Sequence, residues 1–135
     1  MLFVIDTWVL GRASDGNILA RKVLMNVYNN NHKICVDKAE TGSKILKEYK
    51  SIKGFSLMWY KYITTRKKKI KKIIIKNKCK NILRHRKDMK FVYVCLNCKC
   101  KDIVSEHYHF VKNEDQLKCF SIDLRDLNTA LVMSQ

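Results

Sequence analysis

The chain has 135 residues, 47% of them hydrophobic, which suits one globular domain with its own core and excludes a disordered chain. Lys and Arg number 28 against 12 Asp and Glu, a net charge of +16 that directs the surface toward polyanions: RNA, DNA or an anionic membrane. An AT-rich genome would write a similar excess of Lys, Asn and Ile, so the charge constrains partners without naming one.

Phe3-Val4-Ile5 predicts a short buried strand ending at Asp6. Gly11 to Gly16 reads as a turn, with Asp15 as the cap of a helix from about Asn17 through Tyr28. Lys33 to Val36 predicts a second strand, ending at Asp37. Helices are expected from Ala39 to Lys50 and from Phe55 to Thr64. Arg66 to Lys80 is a basic segment carrying Ile70, Ile73, Ile74 and Ile75, whose isoleucines would pack on the core if it formed a helix with a solvated basic face. Asp88 to Asn97 predicts a helix, Asp102 to Ser105 a strand, Phe120 to Ile122 a last strand, and Leu124 to Met133 a closing helix.

Short apolar strands alternating with helices imply an α/β fold: a mostly parallel sheet in a three-layer α/β/α sandwich, spanning 1–135 as a single domain. Ligands of such sheets gather at the carboxyl ends of the strands, where Asp6 and Ser105-Glu106-His107 fall. No apolar run approaches the roughly 20 residues of a spanning helix. The opening Met1 to Asp6 has no basic stretch before its apolar residues, so neither a membrane partner nor an export signal is expected. The six cysteines are then expected to be reduced thiols in the cytoplasm.

Hydrolysis of a phosphodiester with Mg²⁺ or Mn²⁺ needs carboxylates brought together from distant parts of the chain. Asp6 at a strand end, Glu48 beside the apolar Tyr49 and Asp88 at a helix start are the acids placed for that. Position alone also allows plainer roles: Asp88 as a helix cap, Glu48 as the partner of a lysine.

Val4-Ile5-Asp6-Thr7-Trp8-Val9-Leu10, Leu46-Lys47-Glu48-Tyr49, Asp88-Met89-Lys90-Phe91-Val92 and Asp102-Ile103-Val104-Ser105-Glu106-His107-Tyr108-His109-Phe110 follow one another in an order that resembles the PIN domain family, in particular its small VapC-like toxins. The resemblance implies a metal-dependent endoribonuclease, with RNA as substrate and, for a toxin, an antitoxin protein or a second copy as partner. It implies that Asp6, Glu48 and Asp88 bind the metal and that Ser105 shapes the pocket. The chain departs from the family where Trp8 replaces an Asn and where His107 and His109 replace aspartates. A neutral imidazole suits Mn²⁺ better than Mg²⁺. Glu106 or His107 would then complete the metal shell; the alternative is an impaired site that binds RNA without cutting it.

Arg66, Lys67, Lys68, Lys69, Lys71, Lys72, Lys76, Arg84 and Arg86 are the candidate RNA contacts, in the densest basic stretch, which runs up to Asp88. Cys95-x-x-Cys98-x-Cys100 with His107 and His109 has a zinc-like spacing, but core packing is the expected role of these cysteines. Trp59, Tyr60 and Tyr62 are expected partly in the core, with any exposed remainder free for bases or a protein partner.

Overall fold

In the computed structural model, which describes residues 1–66 and 68–135, five short strands form one sheet. They are β1 (Leu2–Ile5), β2 (Lys33–Lys38), β3 (Ile70–Ile74), β4 (Asp102–Val104) and β5 (Asp123–Arg125), in the order β3-β2-β1-β4-β5. Every pairing is parallel: Phe3 lies beside Ile34, Ile34 beside Ile70, Val4 beside Ile103 and Ile103 beside Leu124. The flanking helices are α1 (Thr7–Ser14), α2 (Ile18–Asn29), α3 (Lys44–Lys50), α4 (Phe55–Thr65), α5 (Met89–Leu96), α6 (Tyr108–Val111), α7 (Glu114–Cys119) and α8 (Leu127–Ser134). The result is the expected three-layer α/β/α sandwich.

The core follows from the strands. Phe3, Val4 and Ile5 are fully buried, as are Ile34, Cys35, Val36, Ile103 and Val104, because a central parallel strand is covered on both faces. Phe3 meets the ring of His32, which hydrogen-bonds the carbonyl of Ser134 in α8, so that face belongs to α2 and α8. Trp59 is buried and its Nε1 donates to the Leu24 carbonyl at 2.8 Å, which answers its one polar atom. Tyr62 is exposed.

Several elements depart from the sequence reading. Of the residues read as a Gly11–Gly16 turn, 11–14 belong to α1, because Val9, Leu10 and Ala13 bury one helical face, and only Asp15 and Gly16, the latter at φ +99°, make the turn. Asp15 closes α1, and Asn17 caps α2 by accepting from the Ala20 amide at 2.9 Å. The helix expected from Ala39 begins only at Lys44. Gly42 turns the chain with φ +97°, and Asp37 accepts from Ser43 Oγ, Lys44 N and Ile45 N at 2.7–2.9 Å, gathering the start of α3. Among its described residues the basic segment supplies β3, an edge strand, and no helix. The last strand is Asp123–Arg125, after the helix α7 that the sequence reading lacked, and Asp126 caps α8 through the Thr129 amide. Among the described residues no helix is long and apolar enough to cross a membrane.

Candidate active site

With β1 central, β2 and β3 extend the sheet to one side and β4 and β5 to the other. The switch point therefore lies between β1 and β4, and a crevice opens outside their carboxyl ends. Asp6 follows β1 and Ser105 follows β4. Ser105 Oγ donates to Asp6 Oδ2 at 2.7 Å, and the Asp6 amide donates to the Val104 carbonyl at 3.1 Å. Asp6 is only 4% exposed.

Glu48 arrives on α3. Ser43 caps that helix by accepting from the Leu46 amide, Asp37 holds Ser43 and the first two helical amides in place, and the buried Tyr49 hydroxyl donates to the Ile5 carbonyl, tying α3 to the end of β1. Thr7 Oγ1 donates to Glu48 Oε1, while Lys90 Nζ stands 2.6 Å from Oε2. Asp88 closes a 3₁₀ turn, Arg86–Asp88, ahead of α5, and its Oδ2 lies 2.8 Å from His109 Nδ1. Asp6, Glu48, Asp88 and His107 share a cleft of about 570 Å³ with Thr7, Trp8, Arg12, Asp15, His85 and His109. Three acids 40 or more residues apart in sequence are thus brought together.

Their charges interact. Burial pushes the Asp6 carboxyl up to about 6, the Ser105 hydrogen bond holds it down, and the neighbouring Asp88 and Glu48 carboxylates raise it further. Burial lowers His107, and the neighbouring His109 adds to that, against an opposite pull from Asp88. His109 stacks on His85 at 3.6 Å between ring centroids. An ionised Asp88 only accepts, so His109 Nδ1 is the donor of that hydrogen bond and Nε2 is turned away from it. That Nε2 is buried and has no hydrogen-bond partner.

A divalent cation suits this donor set in part. The buried Asp6 carboxylate, repelled by the part-buried Asp88 and Glu48, favours it, and the orphaned His109 Nε2, backed by a carboxylate on its other nitrogen, has the environment of a metal-binding imidazole. Each acid, however, has at least one oxygen turned to a protein partner: Ser105, Thr7 and Lys90, or His109. As the side chains stand, no group of three or more His, Cys, Asp or Glu among the described residues is poised to hold an ion.

Glu106 is not brought to this cleft. Its Oε2 accepts from the Leu127 amide at 2.8 Å at the start of α8, so its carboxylate serves that helix, while the next residue, His107, faces the acids.

A second depression of about 550 Å³ adjoins the first and shares Glu48 and Lys87 with it; Lys38, Lys44, Lys78, Arg86 and Lys90 line it. Of the RNA contacts expected from sequence, Arg86 lies here. Arg84 and Lys68 are exposed elsewhere. Arg66 lies over the Tyr28 ring at 4.8 Å. Lys69 spends its ammonium on the carbonyls of Val27, Asn30 and His32. Lys71 sits near Met1 and Lys33, at the amino ends of the strands and so at the far end of the sheet. Lys72 and Lys76 line a depression with Asn97. Lys67 lies outside the described residues. Sequence reasoning missed His85, Lys38, Lys44 and Lys90 as site residues; only Thr7, inside the Asp6 motif, carried a local signal. Comparison with protein-family models, curated proteins and solved structures returns no match for this chain.

Proposed function

We propose that the chain is a PIN-like, divalent-metal-dependent endoribonuclease acting in the cytoplasm. The observation that carries this reading is the meeting of Asp6, Glu48 and Asp88 in one cleft at the switch point, beside a depression lined with lysines and an arginine. Asp6, Asp88 and Glu48 would hold the ion, with His107 and His109 as imidazole donors that favour Mn²⁺ over Mg²⁺. When bound, such an ion neutralises charge on the scissile phosphate and makes a bound water nucleophilic near neutral pH.

The remaining work falls to the chain's own side chains. Ser105 and Thr7 orient Asp6 and Glu48 through their hydroxyls. Lys38, Lys44, Arg86 and Lys87 offset the charge of flanking phosphates without reading sequence. Trp8, half-buried on the cleft wall, offers a face on which a base can stack.

One observation favours a second reading. Lys90 already neutralises Glu48 from within the protein, as expected of a site that holds RNA without cutting it. Labelled single-stranded RNA with Mn²⁺ or Mg²⁺ separates the two. Metal-dependent cutting that Asp88→Asn reduces to background supports the nuclease. Salt-sensitive binding with no cutting in either metal overturns it in favour of the binding module.

A further inference from the structure

Away from the acidic cleft, four of the six cysteines converge. Cys35 lies within β2, Cys95 in the last turn of α5, and Cys98 and Cys100 in the turn that leads from α5 into β4. The sheet register explains the meeting. With Leu2 beside Lys33 and Phe3 beside Ile34, Cys35 stands level with Val4, on the face opposite Phe3. Helix α5 packs on β1, β2 and β4. The Cys35 thiol lies against those of Cys98 and Cys100, and Cys100 also against Cys95. Cys35, Cys95 and Cys100 are at most 4% exposed, and Cys98 is half-buried.

Core packing accounts for one or two buried thiols. It does not account for four sulfurs against one another, because a thiol is a weak donor and a weak acceptor and gains little from other thiols. Four thiolates supplied from one strand, one helix end and one turn are the donor set of a closed tetrahedral site, with metal–sulfur bonds of about 2.3 Å for zinc. The surroundings supply positive charge: Lys101 Nζ donates to the Cys95 carbonyl at 2.7 Å, and Lys99 separates Cys98 from Cys100.

We propose that Cys35, Cys95, Cys98 and Cys100 form a structural tetrathiolate site for Zn²⁺. Loading releases four protons, one from each thiol, and leaves a complex of net charge −2, which the adjacent lysines offset. As the side chains stand, no three of these thiols, nor any other three His, Cys, Asp or Glu among the described residues, are poised to hold an ion. Cys100 Sγ bonds the carbonyls of Leu2 and Asp102 at 3.2 and 3.5 Å, and Cys98 Sγ bonds the Cys100 carbonyl at 3.5 Å. These weak bonds are the ones that give way as the short turn closes on the ion. The site would clamp β2 to the end of α5, the helix whose start carries Asp88.

The test is to purify the full chain with reductant and without chelator, measure bound metal, then exchange it for Co²⁺. The expected result is one zinc per chain and a cobalt derivative with the sulfur-to-cobalt charge-transfer band and the d–d envelope of a tetrahedral thiolate site. Asp88→Asn and Cys119→Ser should keep that band, and Cys35→Ser should lose it. The wild-type cobalt spectrum decides the matter if Cys35→Ser does not fold. Reduced protein without the charge-transfer band overturns the proposal. So do an iron–sulfur chromophore, disulfides among these four residues, or a band retained in Cys35→Ser.

Discussion

Asp6→Asn should make the protein more stable while abolishing the proposed cleavage. In the folded protein the Asp6 carboxyl is raised from 3.8 to about 6 by burial and by its two acidic neighbours. A carboxyl that binds its proton more tightly when folded favours the folded state fully below the unfolded value, near pH 4. That contribution disappears as pH rises through about 6. The difference of roughly two units corresponds to about 3 kcal/mol at pH 7.5. Asparagine keeps an oxygen to accept from Ser105 and carries no charge, so it recovers much of this, about 2–3 kcal/mol. For a chain of this size that is a rise in Tm of about 5–10 °C. Urea unfolding of both proteins between pH 4 and 8 provides the assay. The advantage of the variant should be absent near pH 4, open between pH 4 and 6.5, and level off above. Saturating Mn²⁺ at pH 7.5 should narrow the gap by stabilising the wild type alone, about 2.7 kcal/mol at a hundredfold excess over Kd. A variant less stable than wild type at pH 7.5, or an advantage that ignores pH, would refute the electrostatic account of this cleft.

Asp37→Ala removes the acceptor for Ser43 Oγ, Lys44 N and Ile45 N. It should cost about 2–4 kcal/mol, and because α3 carries Glu48, cleavage per folded molecule should fall too; an unchanged rate would show that α3 does not position the site. Lys90→Met removes the ammonium that holds Glu48. Stability should drop by about 1 kcal/mol, and the Mn²⁺ concentration for half-maximal stabilisation should fall; an unaltered metal affinity would exclude Glu48 from the ligand set. The double variant Arg86→Ala/Lys87→Ala should lower the slope of log affinity against log salt for single-stranded RNA by about 1.4. Lys71→Ala/Lys72→Ala should leave it nearly unchanged, and equal effects from both would mean that RNA does not enter by the shared depression.

The elements legible in the sequence were those whose pattern and environment agree. Phe3-Val4-Ile5 and Ile103-Val104 are short apolar runs because both faces of a central parallel strand are covered. Where pattern and environment disagree, the local signal misleads. Ile70, Ile73 and Ile74 repeat at helical spacing, yet pairing with β2 makes them a strand. Lys71 and Lys72 then stand exposed on an edge strand, where lysine opposes edge-to-edge association. That gives part of the basic stretch a purpose other than RNA. Gly11 resembles a turn residue but takes an ordinary helical place, with open space where a Cβ would point.

The candidate site was legible to the extent that its chemistry depends on sequence position. Asp6, Glu48 and Asp88 each stood at an element end or beside a buried aromatic, so the sheet topology had to bring them to one crevice. What sequence could not carry was the partner of each acid. Lys90 reaches Glu48 across 42 residues, and Glu106 turns to the start of α8 while its neighbour His107 faces the cleft. These partners matter because an acid held by an ammonium or a helix amide is settled in structure, whereas Asp6 is not. Asp6 has one hydroxyl and the Trp8 amide to offset burial and two like charges. A carboxylate that weakens the fold at neutral pH, at the switch point of a parallel sheet, is placed where a bound cation would relieve it.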